Sequence, residues 1–175
     1  DLPRPYPGKI VPGGVFINNS IFHANDICIN LEYCTQNRIY ANWFVSDCGV
    51  VLRLKNSNKT WFVANEVNQF RRAGILLEDD RGGGNSVHNV TISLNWILSS
   101  RKETKFIEVI NPEQMYDIAV TDNILEGSAG IDLPFADKER GHIFRGTAGM
   151  AMQTEKRGRA VIKAGETTRE QAQFR

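Results

Sequence analysis

The chain has 175 residues, 41% hydrophobic and 23% charged, and its 21 basic and 20 acidic side chains leave a formal net charge of +1. That is enough apolar material for a core, and the near-neutral balance lacks the clustered basic charge that binding to nucleic acid or an anionic membrane surface demands. No apolar run approaches the ~20 residues of a membrane-spanning helix, so neither nucleic acid nor membrane insertion is expected among its partners.

Residues 1–13 read as an extended lead-in, because the opening DLPRPYPGKIVPGG holds four prolines and three glycines. From Phe16 onward the chain repeats itself. Five segments share an apolar residue, two positions, Asn, one position and an apolar residue: FINNSI from Phe16, IYANWF from Ile39, FVANEV from Phe62, ISLNWI from Ile92 and VTDNIL from Val120. Their asparagines, Asn19, Asn42, Asn65, Asn95 and Asn123, are spaced by 23, 23, 30 and 28 residues. A further step of 23 reaches Gly146 in IFRGTA, a weaker sixth copy with Ile143 and Ala148 at its apolar positions.

A second strand-like segment follows each asparagine: ICINL from Ile27, VVLRL from Val50, ILL from Ile75, FIEVI from Phe106 and IDL from Ile131. Ile27, Ile29 and Leu31 alternate with Cys28 and Asn30, and Val50, Leu52 and Leu54 alternate with Val51 and Arg53, which is the period of a half-buried strand. Gly49, Gly74 and Gly130 each mark a turn entering such a strand. The three cysteines, Cys28, Cys34 and Cys48, are an odd number within 21 positions, neither a disulfide framework nor a spaced zinc site. They are expected as buried or half-buried free thiols.

A repeat of about 23 residues is too small to bury its own apolar face, whereas stacked copies bury it by pairing each strand in parallel with its equivalent. Stacking predicts an interior column of Phe16, Ile39, Phe62, Ile92 and Val120, and a second of Ile21, Phe44, Val67, Ile97 and Leu125. Asparagine tolerates turn dihedrals and its amide bonds to its own kind along a stack, so five in register form a ladder. A β-sandwich of regularly spaced strands gives no reason for that register.

The third and fourth repeats exceed 23 residues by 7 and 5, and the excess is expected to leave the stack as loops at 78–86 (EDDRGGGNS) and 99–105 (SSRKETK), both near one edge. Residues 151–175 are polar and charged, with one short strand from Ala160, and form a C-terminal extension or the start of a further β segment. With two uncovered ends and open parallel edges, more protein is expected around the stack.

This repeat resembles the right-handed parallel β-helix of the pectate-lyase type, over roughly residues 14–150. The fold class is therefore all-β, a solenoid of five to six coils. The form of the strand from Ala160, followed by Ala-Gly-x-Thr, is similar to segments that follow the helix in phage tail spikes and fibres. That resemblance implies a homotrimer located in a virion tail, or an extracellular protein, recognising and as an enzyme depolymerising a bacterial surface polysaccharide. A non-catalytic shaft or adhesin module and a free-standing polysaccharide lyase or hydrolase are the alternatives, since one fold carries many functions.

The candidate chemistry lies around the loops. Glu78, Asp79 and Asp80 follow the third coil's strand, while Glu108 and Asp132 fall at outward positions of the fourth and fifth. Coils stack about 4.8 Å apart, so outward carboxylates on neighbouring rungs could act as acid and base in glycosidic cleavage; Glu78, Asp80, Glu108 and Asp132 are the catalytic candidates. A lyase would lean on Arg53, Arg71 or Lys105 as base. Trp43 and Trp96 share one position of the repeat, directed away from the core, and suit stacking on sugar rings or a subunit contact. With Arg53, Arg71 and Asp79 they are the substrate-binding candidates. No cofactor is expected, and His23, His88 and His142, on different coils, have no metal-ligand spacing. Glu78, Asp79 and Asp80 could also suit calcium, but no spaced Asp/Asn/Gly loop accompanies them.

Overall fold

In the computed structural model the described residues are 11–22, 26–80, 85–127, 130–133, 140–146, 150–155 and 159–164, with the side chains of Val11, Phe22, Ser46, 130–133 and all positions from 150 excluded. They form β1 (Val11–Pro12), β2 (Val15–Ile17), β3 (Ser20–Phe22), β4 (Ile27–Glu32), β5 (Cys34–Tyr40), β6 (Trp43–Lys55), β7 (Asn58–Val63), β8 (Glu66–Glu78) and β9 (His88–Ser93). These are followed by β10 (Trp96–Ser99), β11 (Lys105–Ile110), β12 (Tyr116–Thr121), β13 (Ile124–Gly127), β14 (Gly130–Leu133), β15 (Ile143–Arg145), β16 (Met150–Glu155) and β17 (Arg159–Ala164). A short 3-10 turn, Pro112–Gln114, interrupts the strands.

The strands build a parallel β-helix of about five turns. One parallel sheet stacks β5, β7, β9, β12 and β15, with β1 and β2 on its first edge. The other has two stretches. In the second and third turns both belong to a single 13-residue strand, β6 and β8. In the first, fourth and fifth they separate into β3 and β4, β10 and β11, and β13 and β14.

Both predicted apolar columns exist. Phe16, Ile39, Phe62, Ile92 and Val120 are in register, and so are Ile21, Phe44, Val67, Ile97 and Leu125. Between them Phe44 and Phe62 stack with ring centroids 6.0 Å apart. Phe62, Ile92, Phe44, Val67 and Ile97 are fully buried, so no single turn holds a core of its own.

The asparagine ladder is continuous. Each side-chain amide donates to the Oδ1 of the next, Asn19 to Asn42, Asn42 to Asn65, Asn65 to Asn95 and Asn95 to Asn123, at 2.9–3.1 Å. The same oxygens accept the backbone N–H of the preceding asparagine at 2.9–3.0 Å. The second amide hydrogen reaches a carbonyl one turn back, as from Asn65 to Ile39 at 3.0 Å and from Asn95 to Phe62 at 2.9 Å. The left-handed residue, however, is the one before each asparagine: Asn18, Ala41, Ala64, Leu94 and Asp122 have φ between 52° and 56°. The ladder bonds hold these residues in a conformation that alanine and leucine otherwise avoid.

Several expectations are corrected by the structure. The sixth copy is shifted by one residue: Phe144, not Ile143, pairs with Val120, and Ile143 is 49% exposed. Gly146 therefore falls in the left-handed position, with φ of 64°, and Ala148 lies outside the described residues. The alternation of the second stretch is broken at its start, because Cys28 and Val51 face the core together with Ile29 and Leu52. Ile27 and Val50 pack instead in a separate small cluster with Ala73, Leu76 and Ile110. At the same corner Phe70 and Phe106 meet edge to face at 6.3 Å, and a Cβ on Gly74 would meet the Phe106 carbonyl at 2.9 Å and crowd Phe70. Gly74 is thus a close-approach residue rather than a turn.

The two insertions leave at different corners. The fourth-turn loop lies between β10 and β11, before the second stretch, whereas the third-turn loop follows β8, after it. In the first of these, Ser99 and Thr104 hydroxyls bond across the loop at 2.9 Å and Thr104 donates to the Arg101 carbonyl at 2.7 Å. Residues 81–84 of the other lie outside the described residues. Finally, the last rung is not an open edge throughout. The strand expected from Ala160 is β17, which pairs antiparallel with β14 and with β16, so a hairpin terminates the parallel stack on this side.

Candidate functional site

Burial forces the outer face of the second sheet to carry what the core rejects, and its two stretches differ in chemistry. On the first stretch Trp43, Glu66, Trp96 and Ile124 form one outward column, each in register with the next. Trp43 and Trp96 are 44% and 46% exposed while their neighbours Phe44 and Ile97 are fully buried, as alternation predicts. They stand two rungs apart, about 9.6 Å. Trp43 donates its indole N–H to Glu66 Oε1 at 3.1 Å, along the column. Trp96 donates to Glu126 Oε2 at 3.0 Å, diagonally onto the fifth turn. Both rings are therefore oriented by carboxylates. Glu66 and Glu126 were not singled out from the sequence, although FVANEV aligned with IYANWF already sets Glu66 in the tryptophan column.

The second stretch is an ion-pair field. Arg53, on the second turn, reaches Glu78 on the third, with Nη2 and Nε at 2.8 and 2.9 Å from Oε2. Arg72 clamps Glu108 bidentately through one guanidinium edge, 2.8 Å from Nε to Oε2 and 3.1 Å from Nη2 to Oε1. Lys55 bridges Glu32 at 3.3 Å and Asp80 at 3.1 Å. Leu76 lies in register between Arg53 and Glu108 and is nearly inaccessible, in one cluster with Val50, Ala73, Ile27 and Ile110. Arg71 is exposed at the preceding corner.

Asp80 is held by three side chains through four contacts. Tyr33 Oη and Asn56 Nδ2 each donate to Oδ2 at 2.8 Å, Lys55 approaches Oδ1, and the Asp80 backbone N–H donates to Asn56 Oδ1 at 2.9 Å. Partial burial pushes its carboxyl up, but the hydrogen bonds from Tyr33, Lys55 and Asn56 outweigh that and hold it below the ordinary aspartate value. Tyr33 in turn is raised, chiefly by its bond to Asp80.

Asp79, expected on the outer face, is inside. It is 1% exposed, its Oδ1 accepts the Val87 N–H at 2.7 Å across the third-turn insertion, and its own carbonyl accepts the Asn111 amide at 2.7 Å. Its Oδ2 has no partner among the described residues. Burial raises its carboxyl to about 6, with the Val87 bond opposing and the charges of Asp80 and Glu113 adding to the rise. The parity that sends Glu78 and Asp80 outward sends Asp79 inward.

Of the catalytic candidates, Glu78, Asp80 and Glu108 are thus brought to one side of the stack without being superposed. Ile110, not Glu108, stands opposite Glu78, so these carboxylates are diagonal neighbours. Asp132 follows Ile131, which pairs with Ile107, and so continues the Glu108 column on the fifth turn; its side chain lies outside the described residues. The tryptophans occupy the other stretch of the same sheet, beyond the irregular corner at Cys48. Of the cysteines, none is in a disulfide; Cys48 is buried and its Sγ lies 3.1 Å from that of Cys28. Among the described residues no group of three or more His, Cys, Asp or Glu side chains is arranged to hold a metal ion. Comparison with protein families, with curated proteins and with solved structures finds no match.

Proposed function

We propose that this β-helix is a segment of a phage tail spike or fibre that recognises a bacterial surface polysaccharide, and that the first stretch of the second sheet is its binding face. The observation that carries the reading is the pair of exposed indoles, Trp43 and Trp96, two rungs apart in one column and each oriented by a carboxylate. Indole faces stack on the apolar faces of pyranose rings, and a side chain whose polar end is already bonded gives up little freedom when a ligand lands on it. A rigid stack of parallel strands keeps two such platforms at fixed separation.

Recognition is favoured over cleavage. Glu78, Asp80 and Glu108 are each engaged by a cation, whereas a glycosidic general acid needs a carboxyl kept protonated near neutrality and in reach of the substrate. The raised carboxyl on this side, Asp79, is sealed from solvent. The test is titration of the protein with a panel of bacterial capsule and lipopolysaccharide glycans, followed by tryptophan fluorescence. A glycan of the panel is expected to shift the emission, and Trp43→Ala with Trp96→Ala to weaken its binding at least tenfold. Unchanged binding by the double variant would remove the reading. Release of reducing ends that disappears in Glu78→Gln or Glu108→Gln would restore the depolymerase in its place.

A further inference from the structure

The tryptophan face carries charge of one sign. Its two outward columns are Ser20, Trp43, Glu66, Trp96, Ile124 and, beside them, Val45, Asn68, Leu98, Glu126. Neither contains Lys or Arg. Arg101 of the fourth-turn loop is taken by Asp47 at 2.6 Å. Among the described residues Glu66 and Glu126 form no ion pair, in contrast to Glu78, Asp80 and Glu108 on the second stretch. Each instead spends one oxygen on an indole N–H, leaving a full negative charge beside an aromatic face. Glu66 stands one rung, about 4.8 Å, from each tryptophan.

From this arrangement we infer that the face binds a linear glycan bearing free amino groups, laid along the helix axis with sugar rings on Trp43 and Trp96 and an ammonium over Glu66. The inference rests on the reading of this face as a glycan platform and adds the charge of the ligand to it. The two-rung separation of about 9.6 Å matches the repeat of two β-1,4-linked pyranoses, so the chain runs across the rungs and not along a strand. An ammonium between two indoles is attracted by their electron-rich faces as well as by the carboxylate. A polyuronate would meet Glu66 and Glu126 with like charge and, among the described residues of these two columns, no lysine or arginine, and is disfavoured by repulsion.

The decisive comparison uses three oligosaccharides of equal length at mildly acidic pH, where the amines are protonated: a β-1,4-glucosamine oligomer, its fully N-acetylated counterpart and an oligogalacturonate. The glucosamine oligomer is expected to bind tightest and to weaken with added salt, and the oligogalacturonate to show no binding. Glu66→Gln and Glu126→Gln retain an oxygen for each indole N–H, so they are expected to leave circular dichroism unchanged and to narrow the gap between the glucosamine oligomer and its N-acetylated counterpart. They should cost about three- to fivefold each toward the amine form. Equal binding of the two β-1,4 oligomers, abolished by Trp43→Ala, would overturn the amine preference and keep the platform. Tighter binding of the oligogalacturonate would also overturn it. Absence of binding to all three, or binding that ignores both tryptophans, would overturn the inference and the platform together.

Discussion

Asp79 shows how far a single residue's role depends on which side of the sheet it falls. Its carboxyl, shifted by burial from 3.8 to about 6, binds its proton more tightly in the folded chain than in the unfolded one. Its stabilising contribution is therefore complete below pH 3.8 and is lost as pH rises through about 6. Asp79→Asn keeps an oxygen for the Val87 N–H and removes the titration. Wild type is expected to lose thermal stability relative to this variant across that window, measured by melting on either side of it; parallel curves would disprove the assignment. The sequence showed three consecutive acidic residues beside a glycine run, but nothing in EDD says that the middle one turns inward. That is decided by the Val87 N–H, which its carboxylate accepts, and by the Asn111 amide, which holds its carbonyl.

At the scale of the elements, the asparagine ladder does for adjacent turns what a hydrogen-bonded strand pair does within a sheet. Asn65 accepts from the backbone and side chain of Asn42 and donates to Asn95 and to the Ile39 carbonyl. All of this takes place out of water. Asn65→Leu leaves a buried N–H and a buried C=O without partners and removes the clamp on left-handed Ala64, so a loss of about 3 kcal/mol is expected in denaturant unfolding. The same change at Asn19, on the edge turn and partly exposed, should cost a fraction of that. Comparable losses at both positions would mean that the ladder is not what couples the turns. The columns and the ladder were legible because stacking repeats a side chain at a fixed interval. The break in alternation at Cys28 and Val51, the shift of the last copy to Phe144 and the separate corners of the two loops were not. Each is a local change of register that leaves the composition of the repeat intact.

For the whole molecule, the proposed spike assembly makes a mass prediction. Three helices side by side would give a particle of three times 19.7 kDa in sedimentation equilibrium, and a persistent monomer would rule the trimer out. Val15, Ile17 and Ile143, exposed on the first sheet, offer apolar surface for such a contact. The antiparallel pairing of β17 with β14 already closes part of one end, where the repeat alone implied an open edge. The amino-acid sequence by itself determined that this chain is a stack: apolar and asparagine residues recurring at one interval can bury their side chains and satisfy their amides only against their own copies. The tertiary structure alone decided what the outside of that stack does. Whether a carboxylate faces a guanidinium, an indole or the core depends on register between turns and on one-residue irregularities at corners. These set Glu78 against Arg53, Glu108 against Arg72 and Glu66 against Trp43.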